Sequence, residues 1–169
     1  MTSGKARTET LNSLLRELRT QAVRTVVFHS AVAARLGITI TDLSCLNMLS
    51  MDGPSTPGEL ARRIGITNGG AVTAMVDRLE RAGYVRRERD PGDRRRVRVE
   101  LVAERAAAAV TPLFAGLGAG VAGELDRRDD AELARLLEFV GALNGVLGAA
   151  AAALRDGTAP APPGERAGQ

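Results

Sequence analysis

The chain has 169 residues, a net charge of +3 and a hydrophobic content of 44%, which suits one domain with a real core and excludes a disordered chain. A single cysteine excludes an internal disulfide framework, and we expect no membrane span because no apolar run reaches roughly 18 to 20 residues. The N-terminus MTSGKARTET lacks the apolar core of a signal peptide. These features predict a cytoplasmic protein.

Positive charge is concentrated in one segment. Lys5 is the only lysine, and between Arg86 and Arg98 seven arginines stand against three acidic residues. GC-rich codon usage also enriches arginine, but a basic patch confined to one element points to a polyanion. Because aromatic residues make up only 2% of the chain, there is little on which single-stranded bases could stack, and duplex DNA is the favoured partner.

The first two predicted helices precede the basic segment. Apolar residues at helical spacing predict a helix over 8–35, which Gly37 ends. Residues 39–41 offer caps for a second helix, which stops before Asp52-Gly53-Pro54.

Residues 55–83 predict a helix-turn-helix. Ser55 or Thr56 caps a short helix that Gly65 interrupts, and Thr67 or Asn68 caps the next one. That second helix has a buried stripe at i, i+3, i+4 and i+7, formed by Val72, Met75, Val76 and Leu79. Two helices joined by a short turn around Gly65 have the helix-turn-helix layout.

A β-hairpin is predicted directly after these helices. Asp90-Pro91-Gly92-Asp93 is turn chemistry, and Val97, Val99 and Leu101 alternate with polar residues as in a strand. The fold class is therefore mainly α with a small β-hairpin wing, that is, a winged helix-turn-helix.

Helices are also predicted after the hairpin. One should run from about Ala103 to Leu125, with the Ala/Gly-rich AGLGAGVAG as its uncertain part. Asp129 and Glu132 have capping-box spacing and begin a last helix with a leucine stripe. The tail GTAPAPPGERAGQ is predicted to be disordered. The apolar stripes of the first and last predicted helices could pack either within the chain or against a partner chain, and both alternatives stay open.

The candidate DNA-contacting residues lie on the second helix of the motif and on the hairpin. Polar groups at the start of that helix suit base edges or phosphates, and arginines at the hairpin tip suit the minor groove. The full set is Thr67, Asn68, Gly69, Thr73, Arg78, Arg87, Arg94, Arg95 and Arg96. The alternative is a surface helix and an arginine-rich turn that merely meet water.

Residues 36–101 resemble the MarR family of bacterial winged-helix transcription regulators. The resemblance rests on LGIT (36–39), GPSTPGELARRIGIT (53–67), AVTAMVDRLERAGYV (71–85) and, most specifically, DPGDRRRVRVEL (90–101). It implies a homodimer that binds a palindromic duplex operator, most often as a repressor, and that a small phenolic or lipophilic effector releases. The implied division is an N-terminal dimerisation helix (1–35), the DNA-binding domain (36–101), C-terminal dimerisation helices (102–154) that complete an α-helical dimerisation domain, and the disordered tail (155–169).

The resemblance also assigns individual residues. Arg95 matches the wing arginine that enters the minor groove, and Asp77 matches the acid that pairs with it in some members, so an Asp77–Arg95 salt bridge would orient the wing. A solvated Asp77 is the alternative. The sequence departs from the family at Asp42, where glutamine is frequent, and at Gly69-Gly70.

An effector pocket and a redox role are the least supported predictions. Fold position alone nominates Phe28, His29, Leu46 and Leu49 as pocket residues, with ordinary core as the alternative. Cys45 would make the protein a thiol-based redox-sensing regulator if its thiolate were exposed, but a lone helical cysteine is usually a small buried hydrophobe. One histidine and one cysteine are a poor ligand set, so no metal and no other cofactor is expected.

Two other classes of protein compete with a DNA-binding regulator. The arginines could meet an acidic protein, which would make the chain a winged-helix protein-interaction module. An enzyme is not expected, because the sequence has no G-x-S-x-G, no P-loop and no G-x-G-x-x-G after a strand.

Overall fold

A computed structural model describes residues 2–90, 92–93 and 95–158 of the chain. The elements within these ranges are the helices α1 (Thr2–Leu36), α2 (Ile40–Asp52), α3 (Pro57–Ile64) and α4 (Gly69–Arg81), the strands β1 (Val85–Arg89) and β2 (Val97–Leu101), and the helices α5 (Ala103–Ala109), α6 (Thr111–Leu125) and α7 (Asp130–Arg155). This order confirms the predicted fold class. The chain forms two compact units that divide after Phe114. Most of the predicted disordered tail lies outside the described residues.

Side-chain caps explain where the helices begin. Thr39, Thr56 and Asp129 each accept a hydrogen bond from the backbone three residues on, and an acid at that position bonds back to the cap, which makes three capping boxes. Asn68 caps α4, and its side chain accepts from the amide of Gly70. Such a cap contributes about 1 kcal/mol to helix stability.

The turn of the helix-turn-helix depends on Gly65. This residue adopts φ +84° and ψ 25°, the left-handed region that glycine enters without a Cβ clash. Its amide donates to the carbonyl of Ala61 and closes α3, after which Ile66 and Thr67 lead to α4. The predicted short turn around Gly65 is therefore confirmed, and it spans the four residues 65–68 between the two helices.

The first unit has two apolar clusters. The larger cluster joins α2, α3, α4 and the hairpin, and it buries the whole predicted stripe of α4, with Val76 and Leu79 at 0% exposure. The smaller cluster contains Val32, Ala33 and Leu43, with Phe28, Leu113 and Phe114 packed against it. The helix-turn-helix is thus held by its own core, on which the hairpin also packs.

The hairpin is anchored on both edges of β2. On one edge β1 pairs antiparallel with β2, from Val85 opposite Leu101 to Arg89 opposite Val97. On the other edge Ser55 and Val99 exchange two backbone hydrogen bonds of 3.1 and 2.8 Å. The sequence did not indicate this bridge, which ties the wing to the residues just before α3.

The predicted fifth helix is wrong as a single element. It is divided at Val110 into α5 and α6. The physical cause is Pro112, which has no amide hydrogen to donate to the preceding turn and whose ring disfavours helical geometry at the residue before it. The glycine-rich AGLGAGVAG, which was the expected weak point, is helical throughout.

The second unit contains the rest of α6 and all of α7. Neither helix buries a residue within the chain. By length and composition α7 could cross a membrane, since it has 26 residues and a mean hydropathy of 1.6 in its most apolar 18-residue window. Two bent pairs of helices, α1 with α2 and α5 with α6, also reach that length and hydropathy if each pair is counted as one segment. The expectation that no run is long and apolar enough is therefore wrong for α7, because its many alanines raise the mean although Glu138 and Asn144 interrupt it.

Candidate nucleic-acid interface

The start of α4 forms one half of the candidate interface. Thr67, Asn68, Gly69 and Thr73 are all exposed there. The Asn68 side chain is occupied by the cap to the Gly70 amide at 2.8 Å, and the Thr73 hydroxyl donates to the carbonyl of Gly69 at 3.2 Å. A Cβ on Gly69 would meet no atom within 4 Å, so this end of the helix presents bare backbone to a ligand. Free amides and the positive end of the helix dipole favour a phosphate at such a position.

The wing tip is the second half. Asp93 accepts from the amide of Arg95 at 3.0 Å through its side chain and from the amide of Arg96 at 2.9 Å through its carbonyl. Asp90 accepts from the amide of Gly92 at 2.8 Å. The acids of the hairpin signature thus shape the turn, while Arg95 and Arg96 remain exposed. Arg94, also predicted to contact DNA, lies outside the described residues.

Arg87 connects the wing to α4. Its guanidinium donates to Oδ1 of Asp77 at 2.5 Å and to Oε2 of Glu80, and its backbone amide donates to Oε1 of Glu80 at 3.1 Å. Burial would lower the pKa of Arg87, but the hydrogen bonds to Asp77 and Glu80 outweigh burial and raise the pKa above its ordinary value. The group is permanently charged and held within the protein, whereas we had predicted that it contacts DNA.

The predicted Asp77–Arg95 salt bridge differs from what the structure contains. Among the described residues, Asp77 pairs with Arg87. The reason is that Arg87 lies in β1, which packs beside α4, whereas Arg95 belongs to the turn at the far end of the hairpin. Asp77 orients the wing in this structure through the base of the hairpin, not through its tip.

Arg78 also makes an internal contact, although it was predicted to bind DNA. Its Nη2 donates to Oδ1 of Asp42 at 2.7 Å and its Nε donates to Oδ2 at 3.3 Å. Asp42 is 1% exposed. Burial would raise the pKa of Asp42, but hydrogen bonds from Arg78 and Thr39 outweigh burial and hold the pKa below its ordinary value.

The remaining hairpin arginines fall into two groups. Arg86 pairs with Glu100 at 3.0 Å, and Arg98 pairs with Asp90 at 3.7 Å while also donating to the carbonyl of Pro54. Over the described part of the hairpin, the arginines that form no ion pair are Arg89, Arg95 and Arg96. Internal pairing therefore concentrates the available positive charge toward the tip.

The predicted effector-pocket residues do not form one group. Phe28 and His29 lie beside Phe114, with ring centroids 5.2 and 5.9 Å from it, in or next to the smaller cluster. Leu46 and Leu49 are buried in the larger cluster. A single cavity lined by all four is not supported, because the leucines fill the helix-turn-helix core.

Cys45 is fully buried, at 0% exposure. Burial, with a smaller contribution from the charge of Asp42, raises the pKa of the thiol to about 12. A thiol with this pKa is protonated at neutral pH, and a protonated buried thiol reacts slowly with oxidants. Within the described ranges, no group of three His, Cys, Asp or Glu side chains could hold a metal ion.

Sequence reasoning missed three residues of this interface: Asp42, Glu80 and Ser55. Two of them had a usable signal. Asp42 stands three residues after Thr39, which is capping-box spacing, and Glu80 stands three residues after Asp77, on the same side of α4. Strand alternation puts Arg87 on the same face as the buried Val85, so its position facing the core and α4 could have been anticipated, but not which acids it meets there.

Comparisons with known proteins agree with this geometry. A family model described as "MarR family" matches residues 36–96. Over 97 residues the chain is 47% identical to the Bacillus subtilis (strain 168) protein called "Uncharacterized HTH-type transcriptional regulator YcgE", a match that covers 57% of this chain and 62% of that protein. A second B. subtilis protein, "Uncharacterized HTH-type transcriptional regulator YkoM", is 35% identical over 65 residues, which cover 38% of this chain and 42% of that protein. The chain thus spans less than two thirds of either curated relative.

Solved structures resemble the chain over a larger share of its length. The transcriptional regulator Tm0710 from Thermotoga maritima has a TM-score of 0.56 and 27% identity, with 81% of this chain and 95% of that chain covered. Wild-type MarR (apo form) from E. coli has a TM-score of 0.53 and 26% identity, with 77% and 96% covered. The helix-turn-helix and the basic wing lie in the region that matches the MarR family model, and this chain is therefore similar to MarR-family regulators in both sequence and fold.

Proposed function

We propose that this protein is a MarR-type transcriptional regulator that binds a palindromic duplex DNA operator as a homodimer, acts as a repressor and is released by a small-molecule effector. The observation that carries the DNA-binding part is the wing tip. Arg95 and Arg96 are exposed on a turn that Asp90 and Asp93 hold in place, and they form no ion pair with any described residue. Inserted arginine is favoured by the negative potential of a narrow minor groove.

The exposed start of α4 supplies the second contact. In helix-turn-helix proteins the N-terminal residues of the second helix meet base edges in the major groove. Thr67, Asn68, Gly69 and Thr73 occupy that end of α4. We therefore keep these four residues, with Arg94, Arg95 and Arg96, as the proposed DNA contacts, and we remove Arg78 and Arg87 from direct contact.

The apolar surface of the terminal helices supports a homodimer. Within the first unit, α1 exposes Leu11, Leu14, Leu15 and Val26 by 47–60%. Within the second unit, α6 and α7 bury no residue and expose Leu137 by 76%. Large exposed apolar surface marks an interaction site in a soluble protein, and a second copy of the chain is the partner that the family resemblance implies.

The remaining parts of the proposal rest on the resemblance to the MarR family. Release by a small phenolic or lipophilic effector follows from the family resemblance, and Phe28 and His29 beside Phe114 are the part of the predicted pocket that could take an aromatic ligand. MarR-family regulators are non-enzymatic DNA-binding proteins, which supports the prediction that the chain is not an enzyme. Homologous regulators are typically cytoplasmic, and we place this protein there.

The experiment is fluorescence anisotropy with duplex DNA from the gene's own upstream region and with a shuffled duplex, across a salt series. The wild type should prefer the upstream duplex. Arg95→Ala should weaken binding by roughly tenfold or more and reduce the salt slope of the dimer by about 2, since one charged contact is lost in each of its two subunits. Arg86→Ala is the matched control, because Arg86 is paired with Glu100 and should contribute little to binding.

Two outcomes would overturn the proposal. Equal binding to both duplexes, unaffected by Arg95→Ala, would favour the protein-interaction alternative. A loss of binding on mild peroxide treatment, prevented by Cys45→Ser, would favour the redox alternative that the buried thiol argues against.

A further inference from the structure

We propose that Asp42 is a positioning residue for DNA recognition, and that it holds Arg78 so that this arginine sets the placement of α4 and does not touch DNA. The proposal deepens the proposed function, since it assumes that α4 reads duplex DNA. It changes the role of Arg78, which by residue type alone is a phosphate or guanine ligand.

Arg78 binds both carboxylate oxygens of Asp42, each through a different guanidinium nitrogen. Nη2 and Nε of Arg78 donate to Oδ1 and Oδ2 of Asp42 at 2.7 and 3.3 Å. A guanidinium held at two nitrogens has a fixed orientation as well as a fixed position. The pair joins residues 36 positions apart, so it links α2 to α4 directly.

Asp42 is itself held in place. Its Oδ2 accepts from the amide of Thr39 at 2.9 Å, and its amide donates to the hydroxyl of Thr39 at 3.1 Å, so it also completes the cap of α2. At 1% exposure the carboxylate has almost no access to water. Because an unpaired buried carboxylate is far more costly than a paired one, a DNA phosphate is a poor competitor for Arg78.

The position of Arg78 on α4 fits a positioning role. It stands nine residues after Gly69, which places it about 13 Å along the axis from the start of the helix. It lies three residues after the buried Met75, beside the buried stripe, and its side chain is 44% exposed while its guanidinium is bonded to Asp42. A small rotation of α4 about this anchor would displace the exposed Thr67–Thr73 end, where base contacts are proposed.

The test compares four variants, Arg78→Lys, Arg78→Gln, Asp42→Asn and Arg95→Gln, in the same salt series on upstream and shuffled duplexes. Lysine retains the charge for a phosphate but loses the two-pronged hold. We expect Arg78→Lys and Asp42→Asn each to reduce the preference for the upstream duplex by about tenfold, the effect of one charged hydrogen bond, without lowering the salt slope. Arg95→Gln should lower the slope by about 2, one charged contact for each subunit of the dimer.

Several results would overturn the proposal. A salt slope that falls by about 2 in Arg78→Gln, as expected for Arg95→Gln, would mean that Arg78 meets a phosphate in each subunit. Unchanged preference in both Arg78→Lys and Asp42→Asn would mean that the pair positions nothing. If the wild type itself had no sequence preference, the proposed function would fail, and with it the recognition role of the pair.

A measurement without DNA tests whether the Asp42–Arg78 pair holds α4 in place, whether or not the protein binds an operator. Amide hydrogen exchange of α4 should be about tenfold faster in Asp42→Asn and in Arg78→Lys, and no faster in the double variant than in either single one. Independent, additive effects of the two substitutions would show that the side chains are not coupled in solution and would sink the proposal whatever the DNA result.

Discussion

At the scale of single residues, the guanidinium of Arg87 joins the hairpin to α4. It meets two acids, Asp77 and Glu80, which stand one turn apart on the same helix. The side chains are 30–47% exposed, so solvent screens these pairs and their contribution to stability is modest. Their main effect is on orientation, because one arginine bonded to two fixed acids has little freedom to turn.

We expect Arg87→Gln to lower the free energy of unfolding by about 1 kcal/mol and to weaken operator binding, since the wing would lose its hold on α4. Urea unfolding in 0.1 and 1 M NaCl measures the first effect, which should shrink at high salt. Arg86→Gln is the control, since its pair with Glu100 lies within the hairpin itself. A larger loss in the control than in Arg87→Gln would contradict this assignment.

The ionisation of Asp42 makes the folding stability of the protein depend on pH. The pKa of its carboxyl is held below the ordinary value, so folding is favoured by the ionised form. The stability that this group contributes is fully present above the unfolded pKa of about 3.9 and is lost as pH falls through the lower, folded pKa.

We therefore expect the difference in unfolding free energy between wild type and Asp42→Asn to be constant from pH 7 down to about 5 and to vanish progressively below about pH 4. Thermal or urea unfolding followed by circular dichroism across this range gives the comparison. A difference that grew on acidification would mean that the sign of the shift is wrong.

At the scale of elements, the turn between α3 and α4 depends on backbone conformation more than on packing. Gly65 has φ +84°, and a Cβ there would meet no neighbouring atom, so any cost of substitution comes from the left-handed conformation itself. This cost is about 1 to 2 kcal/mol for a residue with a Cβ.

Gly65→Ala should accordingly lower the unfolding free energy by about 1 kcal/mol and weaken DNA binding, since the angle between the two helices would change. Gly58→Ala is the matched control: Gly58 lies in α3 at negative φ with open space around its Cβ position, and stability should be unchanged or slightly higher. Chemical denaturation of both variants checks the pair. Equal effects at the two positions would rule out the conformational explanation.

The break between α5 and α6 also belongs to this scale. A single proline at position 112 divides what apolar spacing predicted as one helix, whereas the four glycines of α6 leave that helix intact. The difference is physical: glycine weakens a helix by about 1 kcal/mol, which packing or neighbouring helix formers can offset, while proline removes a donor and adds a clash.

At the scale of the whole molecule, the exposed apolar faces of the terminal helices set the expected assembly. We expect the wild type to be a dimer and Leu137→Glu, at a position 76% exposed on α7, to shift it toward monomer, because a charge would be buried at the interface. Multi-angle light scattering on a size-exclusion column gives the mass. Met51→Glu is the control, since Met51 is 83% exposed on α2, outside the terminal stripes.

An unchanged dimer in both Leu137→Glu and the double variant Leu137→Glu/Leu147→Glu would exclude this face of α7 from the interface. Association of the wild type with lipid vesicles, lost in the same variants, would instead connect the membrane-length composition of α7 with its exposed surface. The two outcomes show whether these leucines pack against a second copy of the chain or against a lipid bilayer.

The sequence by itself determined the features that depend on neighbours within a few residues. The capping box at Asp129, the turn at Gly65, the stripe of α4 and the alternation of β2 each follow from local geometry, and the MarR resemblance follows from the sequence motifs between residues 36 and 101. Tertiary structure alone decided which acid each arginine meets. Asp42 pairs with Arg78, which is 36 positions away in the sequence. Asp77 pairs with Arg87 and not with the predicted Arg95, and Ser55 pairs with Val99, which is 44 positions away. Arginines of one segment are chemically alike, and only the packing of α2, α4 and the hairpin brings a given guanidinium within 3 Å of a given carboxylate.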